Sequence, residues 1–259
     1  MTLLLFYTLV ISSILYFYLH KKTKINIKYL FIDNIIVGFL SFFLSYLISK
    51  ESFLSYLITV LFIFVLIFTL TMLRFWRTPQ RKIVAANNEI VSPADGNIIY
   101  IKKIEANEIP ISIKKSSLSK LSEITKTELL KVPCWLIGIN MTPFDVHKNC
   151  SPIDGKIILN KHFDGKYLSL KNPSAISENE RNTYVIANDI ITVGVIQIAS
   201  KRVRRIDTYV KEGELVKKGD WIGMIRFGSQ VDLIVPEFCK INVSIGEQVH
   251  AKKTKIAMV

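Results

Sequence analysis

Three separated segments of the chain carry side chains suited to nucleophilic catalysis. A Gly228-Ser229 pair stands near the C-terminal end, and single candidates stand far before it at Asp95 and His147. A serine hydroxyl is a poor nucleophile near neutral pH and needs a base, which in turn needs an orienting carboxylate. The set therefore suggests a serine that attacks its own backbone, with His147 as the base and Asp95 as its orienting group.

The glycine before the serine suits such an attack. Without a Cβ atom, Gly228 admits close approach and a strained backbone, both of which help an attack that distorts a peptide unit. Each element taken alone has a plainer explanation, because Gly-Ser and Asp-Gly pairs are common in ordinary turns. The assignment of Ser229 and Asp95 to chemistry therefore depends on the rest of the chain.

The apolar residues are concentrated in residues 1–73, which we interpret as a membrane anchor. Phe53–Leu73 has no charged residue and would span about 31 Å as a helix, enough to cross a bilayer. Thr2–Leu19 and Tyr29–Ser49 are weaker candidates, so the sequence predicts two or three transmembrane helices. The opening stretch could also be a signal peptide, although it lacks a basic n-region and a small-residue cleavage site.

Charges beside these segments predict the orientation. Basic residues follow the first and the last predicted helix, and such residues favour the cytoplasmic side. An odd number of cysteines, three, fits a reducing compartment. We therefore expect a multi-pass protein of the cell membrane, with residues 74–259 as a cytoplasmic domain. The basic residues are Lys21, Lys22, Lys24, Lys28, Arg74, Arg77, Arg81 and Lys82.

The net charge of +13 favours an anionic membrane surface over nucleic acid as the partner. The basic residues are scattered, and the chain has no arginine-rich helix, aromatic RNA-binding strand or zinc-finger spacing. The densest cluster, Lys201–Arg205, either binds lipid phosphate or forms a solvated strand edge.

The part after the anchor is predicted to be mainly β, in an α+β arrangement. Short β-branched runs alternate with Gly, Pro and Asp, which is typical of strands and turns. Lys114–Lys131 is either a weak helix or a solvated insertion. The predicted strands are Asn97–Ile101, Cys134–Ile139, Tyr184–Ile186, Ile190–Ala199 and Gln230–Val235.

Two internal echoes favour a small barrel or sandwich. Ser92-Pro-Ala-Asp-Gly recurs as Ser151-Pro-Ile-Asp-Gly, and the turn-containing Val210–Val216 recurs as Val243–Val249. The second echo resembles the hairpins of lipoyl and biotinyl carrier domains. No modifiable lysine stands at a matching tip, so a carrier is not expected. A membrane-tethered sandwich acting as an adaptor in a transport assembly stays open as a non-enzymatic alternative.

From Phe75 to Val259 the chain resembles the phosphatidylserine decarboxylase family, particularly its shorter branch, which includes archaetidylserine decarboxylases. The resemblance rests on five separate motifs in the family's order, which together are far more specific than any one of them. They are Phe75–Pro79, Ser92–Gly96, Met141–His147, Asn179–Asn182 and Phe227–Ser229.

The resemblance implies a proenzyme that cleaves itself between Gly228 and Ser229, leaving a pyruvoyl group made from Ser229. That group would accept the electrons released as the serine head group of a phospholipid loses carbon dioxide, leaving an ethanolamine lipid, and no external cofactor or metal is expected. With Cys150 after it, His147 is the single histidine of its segment and would serve both steps. Chains 1–228 and 229–259 should stay associated as a heterodimer.

The resemblance leaves the substrate contacts open. Glu180 and Arg181 either organise the pocket or form a surface ion pair in a loop. Arg77, beside the aromatic Phe75 and Trp76, either contacts the lipid phosphate or serves only as an anchor. Diacyl phosphatidylserine and archaeal ether-linked archaetidylserine share the same head group, so either could be the substrate. Anchoring suits both, because a two-tailed lipid does not leave the bilayer cheaply.

Overall fold

The computed structural model describes residues 1–23, 27–50, 52–105, 108–112, 117–172, 174–201, 205–226 and 229–259. These residues form two compact units. The first contains Met1–Arg77 and Thr142–Phe144, and the second contains Thr78–Met141 and Asp145–Val259.

The first unit is built from three helices, α1 (Thr2–Thr23), α2 (Ile27–Ser49) and α3 (Phe53–Trp76). All three are long and apolar enough to cross a membrane, so the structure has three candidate membrane-spanning helices, including the two weaker ones. Small polar side chains lie where the helices meet, and the Thr59 hydroxyl donates to Ser45 Oγ over 2.7 Å. Such side chains let apolar helices approach closely and bond to each other in lipid.

An ion pair links two of these helices. Asp33 on α2 is buried, and Arg74 near the end of α3 donates its Nε–H to Asp33 Oδ2 over 2.9 Å and an Nη2–H to Oδ1. In the structure their charges are directed at each other within the helical unit, where a charge without a counter-ion would be costly.

The second unit is mainly β, as predicted. Its largest sheet is antiparallel and curled, with eight strands in the order β11-β7-β8-β9-β13-β5-β2-β15, and two three-stranded sheets (β1-β16-β14 and β10-β12-β6) and the β3-β4 pair accompany it. The elements are β1 Glu89–Val91, β2 Gly96–Ile104, β3 Glu108–Ser112, β4 Ser117–Lys120, α4 Leu121–Thr125, β5 Cys134–Met141, β6 Lys148–Cys150, β7 Gly155–Phe163, α5 Ala175–Glu178, β8 Arg181–Ala187, β9 Thr192–Ala199, β10 Arg205–Thr208, β11 Leu215–Val216, β12 Trp221–Arg226, β13 Ser229–Pro236, β14 Lys240–Ile241, β15 Gln248–Val249 and β16 Lys255–Met258.

Four predicted strands are confirmed as parts of β2, β5, β8 and β13, and the fifth, Ile190–Ala199, is confirmed as β9 from Thr192 onward. The helical interpretation of Lys114–Lys131 is wrong over most of its length. Ser117–Lys120 forms a strand, only Leu121–Thr125 is helical, and residues 114–116 lie outside the described residues. The stretch has only three apolar residues at helical spacing, Leu118, Leu121 and Ile124, among many Lys, Ser and Thr residues, so little apolar surface stabilises a long helix.

Alternating side chains of the central strands fill a core on each face of the sheet. On β13, Val231 and Leu233 belong to the larger apolar cluster, whereas Ile234 belongs to a second cluster on the opposite face. All three side chains are almost fully buried. The period of two explains why this strand reads as a nearly continuous apolar run, because both of its faces are covered.

The internal echoes correspond to a structural repeat. At one edge of the large sheet Val249 pairs with Gly96, and at the other edge Val216 pairs with Gly155 in the same register. Both partner strands, β2 and β7, carry a register shift at equivalent positions. The two echoed segments thus occupy matching places at opposite edges, while their likeness to lipoyl hairpins stays a prediction.

Candidate active site

Ser229 lies at one end of the large sheet. It is the first residue of β13, and its backbone is paired with Met141 at the end of β5 and with Ala199 at the end of β9. Asp95 directly precedes β2, on the far side of β5, where Asn97 pairs with Asn140. The topology therefore brings Ser229 and the Asp95 turn to the same end of the sheet, whereas Gly228 lies outside the described residues.

His147 is fully buried just before β6. Its Nδ1 is 2.8 Å from the carbonyl oxygen of Asp145. Because a carbonyl can only accept, Nδ1 carries the proton and Nε2 is the basic nitrogen. The His147 carbonyl in turn accepts the Ile225 N–H over 3.2 Å, which ties the histidine to β12, close before Ser229 along the chain.

Strand β6 ties the histidine segment to the other two. The Cys150 N–H donates to the Pro93 carbonyl over 2.9 Å, beside the Asp95 turn. Asn149 accepts a 2.8 Å hydrogen bond from Gln197 on β9, the neighbour of β13. Burial raises the pKa of the Cys150 thiol to about 12, so the thiol stays protonated, and it donates to the Ser92 carbonyl over 3.4 Å. The three segments singled out in the sequence therefore converge at one end of the sheet.

Asp95 has partners that the sequence did not suggest. Its side chain is 1% exposed, and Arg81 donates to both carboxylate oxygens, over 2.5 and 2.7 Å. The Ala251 N–H donates to Oδ1 over 2.8 Å, and His250 Nδ1 lies 3.7 Å from Oδ2. These contacts hold the carboxylate between the start of the unit and its C-terminal segment. Orientation of His147 by Asp95 therefore stays a prediction.

The surroundings of Asp95 keep it ionised. Burial by itself would raise the pKa of the carboxyl group, but the hydrogen bonds and charge of Arg81, the nearby His250 and the Ala251 N–H outweigh it and lower the pKa to about 2. Asp95 is therefore a fixed negative charge at neutral pH.

The repeat provides an internal comparison for Asp95. Asp154, its counterpart in the second echo, accepts the Lys218 N–H over 2.8 Å, as Asp95 accepts that of Ala251. Asp154 is exposed, however, whereas Asp95 is buried. The backbone hydrogen bond is thus a turn function that both aspartates share, and the buried pairing with Arg81 is what distinguishes Asp95.

The Asn179–Asn182 motif reaches the same end of the sheet from the other side of β9. The Ala199 N–H donates to the Glu180 carbonyl over 2.8 Å, and the Asn179 amide donates to the Ala199 carbonyl over 2.7 Å. Glu180 itself accepts from the Tyr167 hydroxyl and lies 3.2 Å from His162 Nε2. The motif therefore supports the strand edge that borders β13.

Arg181 is fully buried, and its guanidinium donates to backbone carbonyls of Ile124, Ile176 and Asn179. It does not pair with Glu180, so the alternative of a surface ion pair is wrong. Burial lowers the pKa of Arg181 to about 10, which leaves it charged at neutral pH. In this arrangement Arg181 links the carbonyls of α4, of α5 and of the residue that follows α5, and its contact with substrate stays a prediction.

The sequence model of a protein family described as phosphatidylserine decarboxylase matches residues 68–257 of the chain. The chain belongs to the phosphatidylserine decarboxylase family. All five motifs fall within the matched range, and the three segments that meet at Ser229 are among them.

Two of the relatives represent the two substrate names found in this family. A protein of Methanocaldococcus jannaschii, provisionally named archaetidylserine decarboxylase proenzyme, is 41% identical over 184 residues, which cover 71% of this chain and 87% of the relative. The phosphatidylserine decarboxylase proenzyme of Cytophaga hutchinsonii is 34% identical over 242 residues, covering 92% of this chain and 97% of the relative. A proenzyme of the same name from Cupriavidus metallidurans is 36% identical over 193 residues, covering 74% of this chain and 79% of the relative.

Arg77, the remaining predicted lipid contact, belongs to the helical unit of this decarboxylase family member. It follows α3, and its Nη1 donates to the carbonyls of Arg74 and Phe144 over 3.0 and 2.9 Å. Of the basic cluster Lys201–Arg205, residues 202–204 lie outside the described residues. Arg205 is exposed and paired with Asp207 over 2.6 Å.

Sequence reasoning missed Arg81 and His250 as neighbours of Asp95. Arg81 was counted only as one of the basic residues after the anchor, and no spacing rule connects either residue with an aspartate far from it in sequence. The buried lone charge was the available signal, because a carboxylate inside a protein needs a partner. Within the described ranges, no three His, Cys, Asp or Glu side chains are grouped closely enough to hold a metal ion.

Proposed function

We propose that this protein is a membrane-anchored decarboxylase of serine glycerophospholipids that produces the ethanolamine lipid. The observation that carries the proposal is the convergence of Ser229, the His147 segment and the Asp95 turn at one sheet end, in a chain of the phosphatidylserine decarboxylase family. The substrate is diacyl phosphatidylserine, or archaetidylserine if the lipid is ether-linked. No observation favours the adaptor alternative.

The first reaction is self-cleavage at Gly228-Ser229. Ser229 Oγ attacks the Gly228 carbonyl carbon, and its hydroxyl proton passes to the base while the amide becomes an ester. Loss of the Ser229 Cα proton then expels the Gly228 carboxylate and leaves dehydroalanine. One water molecule converts this residue into a pyruvoyl group and releases ammonia, so the whole sequence consumes one water.

His147 is the base in this proposal. Its protonated Nδ1, directed at the Asp145 carbonyl, leaves Nε2 to take the hydroxyl proton. The fixed charge of Asp95 near this end of the sheet favours the protonated imidazolium that results. The same histidine is then the candidate to return a proton to the substrate carbon after carbon dioxide has left.

The strands around Ser229 fit a residue that must stay in place after its peptide bond is cut. β13 is hydrogen-bonded to β5 on one side and to β9 on the other, and β16 is paired with β1. The segment 229–259 would therefore stay bound to 1–228 as a heterodimer. When present, the pyruvoyl group supplies the electron sink for decarboxylation. The chain's own task is to hold residue 229, orient the serine head group and exclude water.

The apolar helices support an enzyme that acts on a membrane lipid. We propose a multi-pass protein of the cell membrane with the catalytic unit on the cytoplasmic side, because the basic residues flank the first and last helices on one predicted side. The enzyme then meets the head group without extracting both lipid tails from the bilayer.

The test uses vesicles of phosphatidylserine labelled at the serine carboxyl, with archaetidylserine vesicles in parallel. The purified full chain should release labelled carbon dioxide from at least one of them. Ser229→Ala should abolish release and leave one uncut chain, whereas Ser244→Ala, a change at an exposed turn, should do neither. Equal release by wild type and Ser229→Ala would overturn the nucleophile, and no release by wild type from either lipid would overturn the function.

A further inference from the structure

A buried polar cluster lies on β13 directly after Ser229, and the mechanism above does not use it. Tyr100 donates its hydroxyl to Asp232 Oδ2 over 2.7 Å, and Gln230 donates to Asp232 Oδ1 over 2.6 Å. The Gln230 amide is also 2.6 Å from the Tyr100 hydroxyl. Asp232 is completely buried and Gln230 is 5% exposed. Three polar groups thus form a closed triangle inside the sheet.

The sheet is built so that Tyr100 can reach this carboxylate. Tyr100 on β2, Gly138 on β5 and Asp232 on β13 form one cross-strand row, so the tyrosine has to extend over the middle strand. A Cβ atom added at Gly138 would lie 2.4 Å from Tyr100 Cζ. Only glycine leaves this space, since any side chain at residue 138 would displace the ring.

The fold itself does not require such a cluster. In the other half of the structural repeat, the equivalent cross-strand row is Leu159, Val185 and Gly194, which has no polar side chain. The same architecture is therefore stable with apolar residues at these positions. The polar row occurs only in the half of the repeat that carries Ser229.

The charge of Asp232 is expensive to hold there. Burial raises the pKa of this carboxyl group to about 6, and the hydrogen bonds from Gln230 and Tyr100 and the charges of Arg181 and Lys102 limit the rise. These four groups are the ones that act on the carboxylate from β13, β2 and β8. The equivalent apolar row of the repeat shows that folding does not need this buried charge. A charge that is costly and is not needed for folding points to a role in function.

The cluster gains its importance when the chain is cleaved, so this inference rests on the proposed function. Cutting at Gly228-Ser229 would make residue 229 a chain terminus, and strand termini fray unless other contacts hold them. Gln230 and Asp232 would then belong to the small chain and Tyr100 to the large chain. Their hydrogen bonds join the two chains one and three residues after the reacting residue, within about 10 Å of it along the strand.

We propose that Asp232, held by Tyr100 and Gln230, is a positioning residue that keeps residue 229 in its reactive place after self-cleavage. It does not touch the reacting atoms, and it acts through the strand that carries them. Loss of its partner should lower turnover and leave substrate affinity unchanged, because misplacement of a reacting group by about 1 Å costs as much as a hundredfold in rate.

The experiment compares Tyr100→Phe and Asp232→Asn with Tyr184→Phe. Tyr184 is a matched control, because its buried hydroxyl also bonds across the unit, to the Ile222 carbonyl over 3.0 Å, but away from the polar triangle. Turnover is measured on lipid vesicles and expressed per processed small chain, counted by mass spectrometry. Hydrogen–deuterium exchange of the peptide 229–236 is measured in the same samples.

We expect kcat to fall at least about tenfold in both cluster variants with KM within about twofold of wild type, together with faster exchange of peptide 229–236. Tyr184→Phe should neither lower kcat tenfold nor speed up the exchange of peptide 229–236. If the cluster variants keep the wild-type kcat, or lose it only to the extent that the control does, the positioning role is overturned. If wild type itself is neither cleaved nor active, the proposed function fails, a result distinct from the failure of this inference.

Discussion

Removal of Arg81 should destabilise the second unit, because it leaves a buried charge without its partner. Arg81→Met deletes both hydrogen bonds that the guanidinium makes to Asp95, whose side chain is 1% exposed. Removing one member of a buried ion pair typically costs about 3–5 kcal/mol. The pKa of Asp95 is consistent with this size, since its net fall from 3.8 to about 2 corresponds to about 2.5 kcal/mol.

The expected change can be followed as an unfolding temperature. For a unit of this size, each kcal/mol lowers the melting temperature by about 2–4 °C, so Arg81→Met should lower it by about 6–20 °C at neutral pH. Trp135 and Trp221 both lie in the second unit and report its unfolding by fluorescence. The measurement belongs in a Ser229→Ala background, so that every variant is compared as one uncut chain.

A second substitution distinguishes the cost of the unpaired charge from the cost of lost packing. Adding Asp95→Asn to Arg81→Met removes the stranded charge, so the double variant should recover at least half of the lost stability. Asp154→Asn, at the exposed equivalent in the repeat, should cost less than about 1 kcal/mol.

The pH dependence has a definite sign. The depressed pKa of Asp95 stabilises the folded parent fully above pH 3.8, and this contribution disappears as the pH falls towards about 2. The deficit of Arg81→Met should therefore be largest at neutral pH and narrow on acidification. A single variant within about 2 °C of its parent, or a double variant no better than the single one, would refute the reasoning.

Three further outcomes are expected. His147→Ala should slow self-cleavage by at least about a hundredfold, seen as persistence of the uncut chain on denaturing gels, and normal processing would show that another base acts. Asp232→Asn should gain up to about 3 kcal/mol over wild type as the pH rises from about 4 to above 6, because in that range the unfolded carboxyl ionises while the folded one still holds its proton, which costs the wild type stability. An equal difference at pH 5 and pH 8 would contradict this. Arg74→Leu should lower the melting temperature of the helical unit in detergent, and Asp33→Leu added to it should restore most of the loss; no restoration would mean that the pair does not bond as described.

The strands could be predicted from the sequence because their apolar runs are bounded by turn residues. β13 is the clearest case: apart from Asp232, Val231–Val235 is apolar, and the strand lies in the middle of the sheet with both faces covered. The echoes likewise foretold a repeat, since the same Asp-Gly turn begins β2 and β7. The helix predicted for Lys114–Lys131 was wrong because three apolar residues at helical spacing, among many polar ones, are too few to define a long helix.

The side-chain pairings could not be predicted in the same way. The partner of Asp95 lies in an irregular segment before β1, where no periodicity fixes its position. The cluster of Tyr100 and Asp232 depends on the register of three strands and on the absence of a side chain at Gly138. Register is set by the whole sheet, and one residue of slip would move Asp232 to the other face. In the sequence, the sign of this cluster was the polar residue Asp232 within an apolar strand.

Intact mass spectrometry of the purified, denatured wild-type protein tests self-cleavage most directly. We expect two chains, one ending at Gly228 and one running from residue 229 to Val259. The smaller chain should be lighter than the same chain with an N-terminal serine by the mass of one ammonia molecule. Ser229→Ala should give one full-length mass. A single full-length wild-type chain, or a small chain that still begins with serine, would show that Ser229 is not converted into a pyruvoyl group.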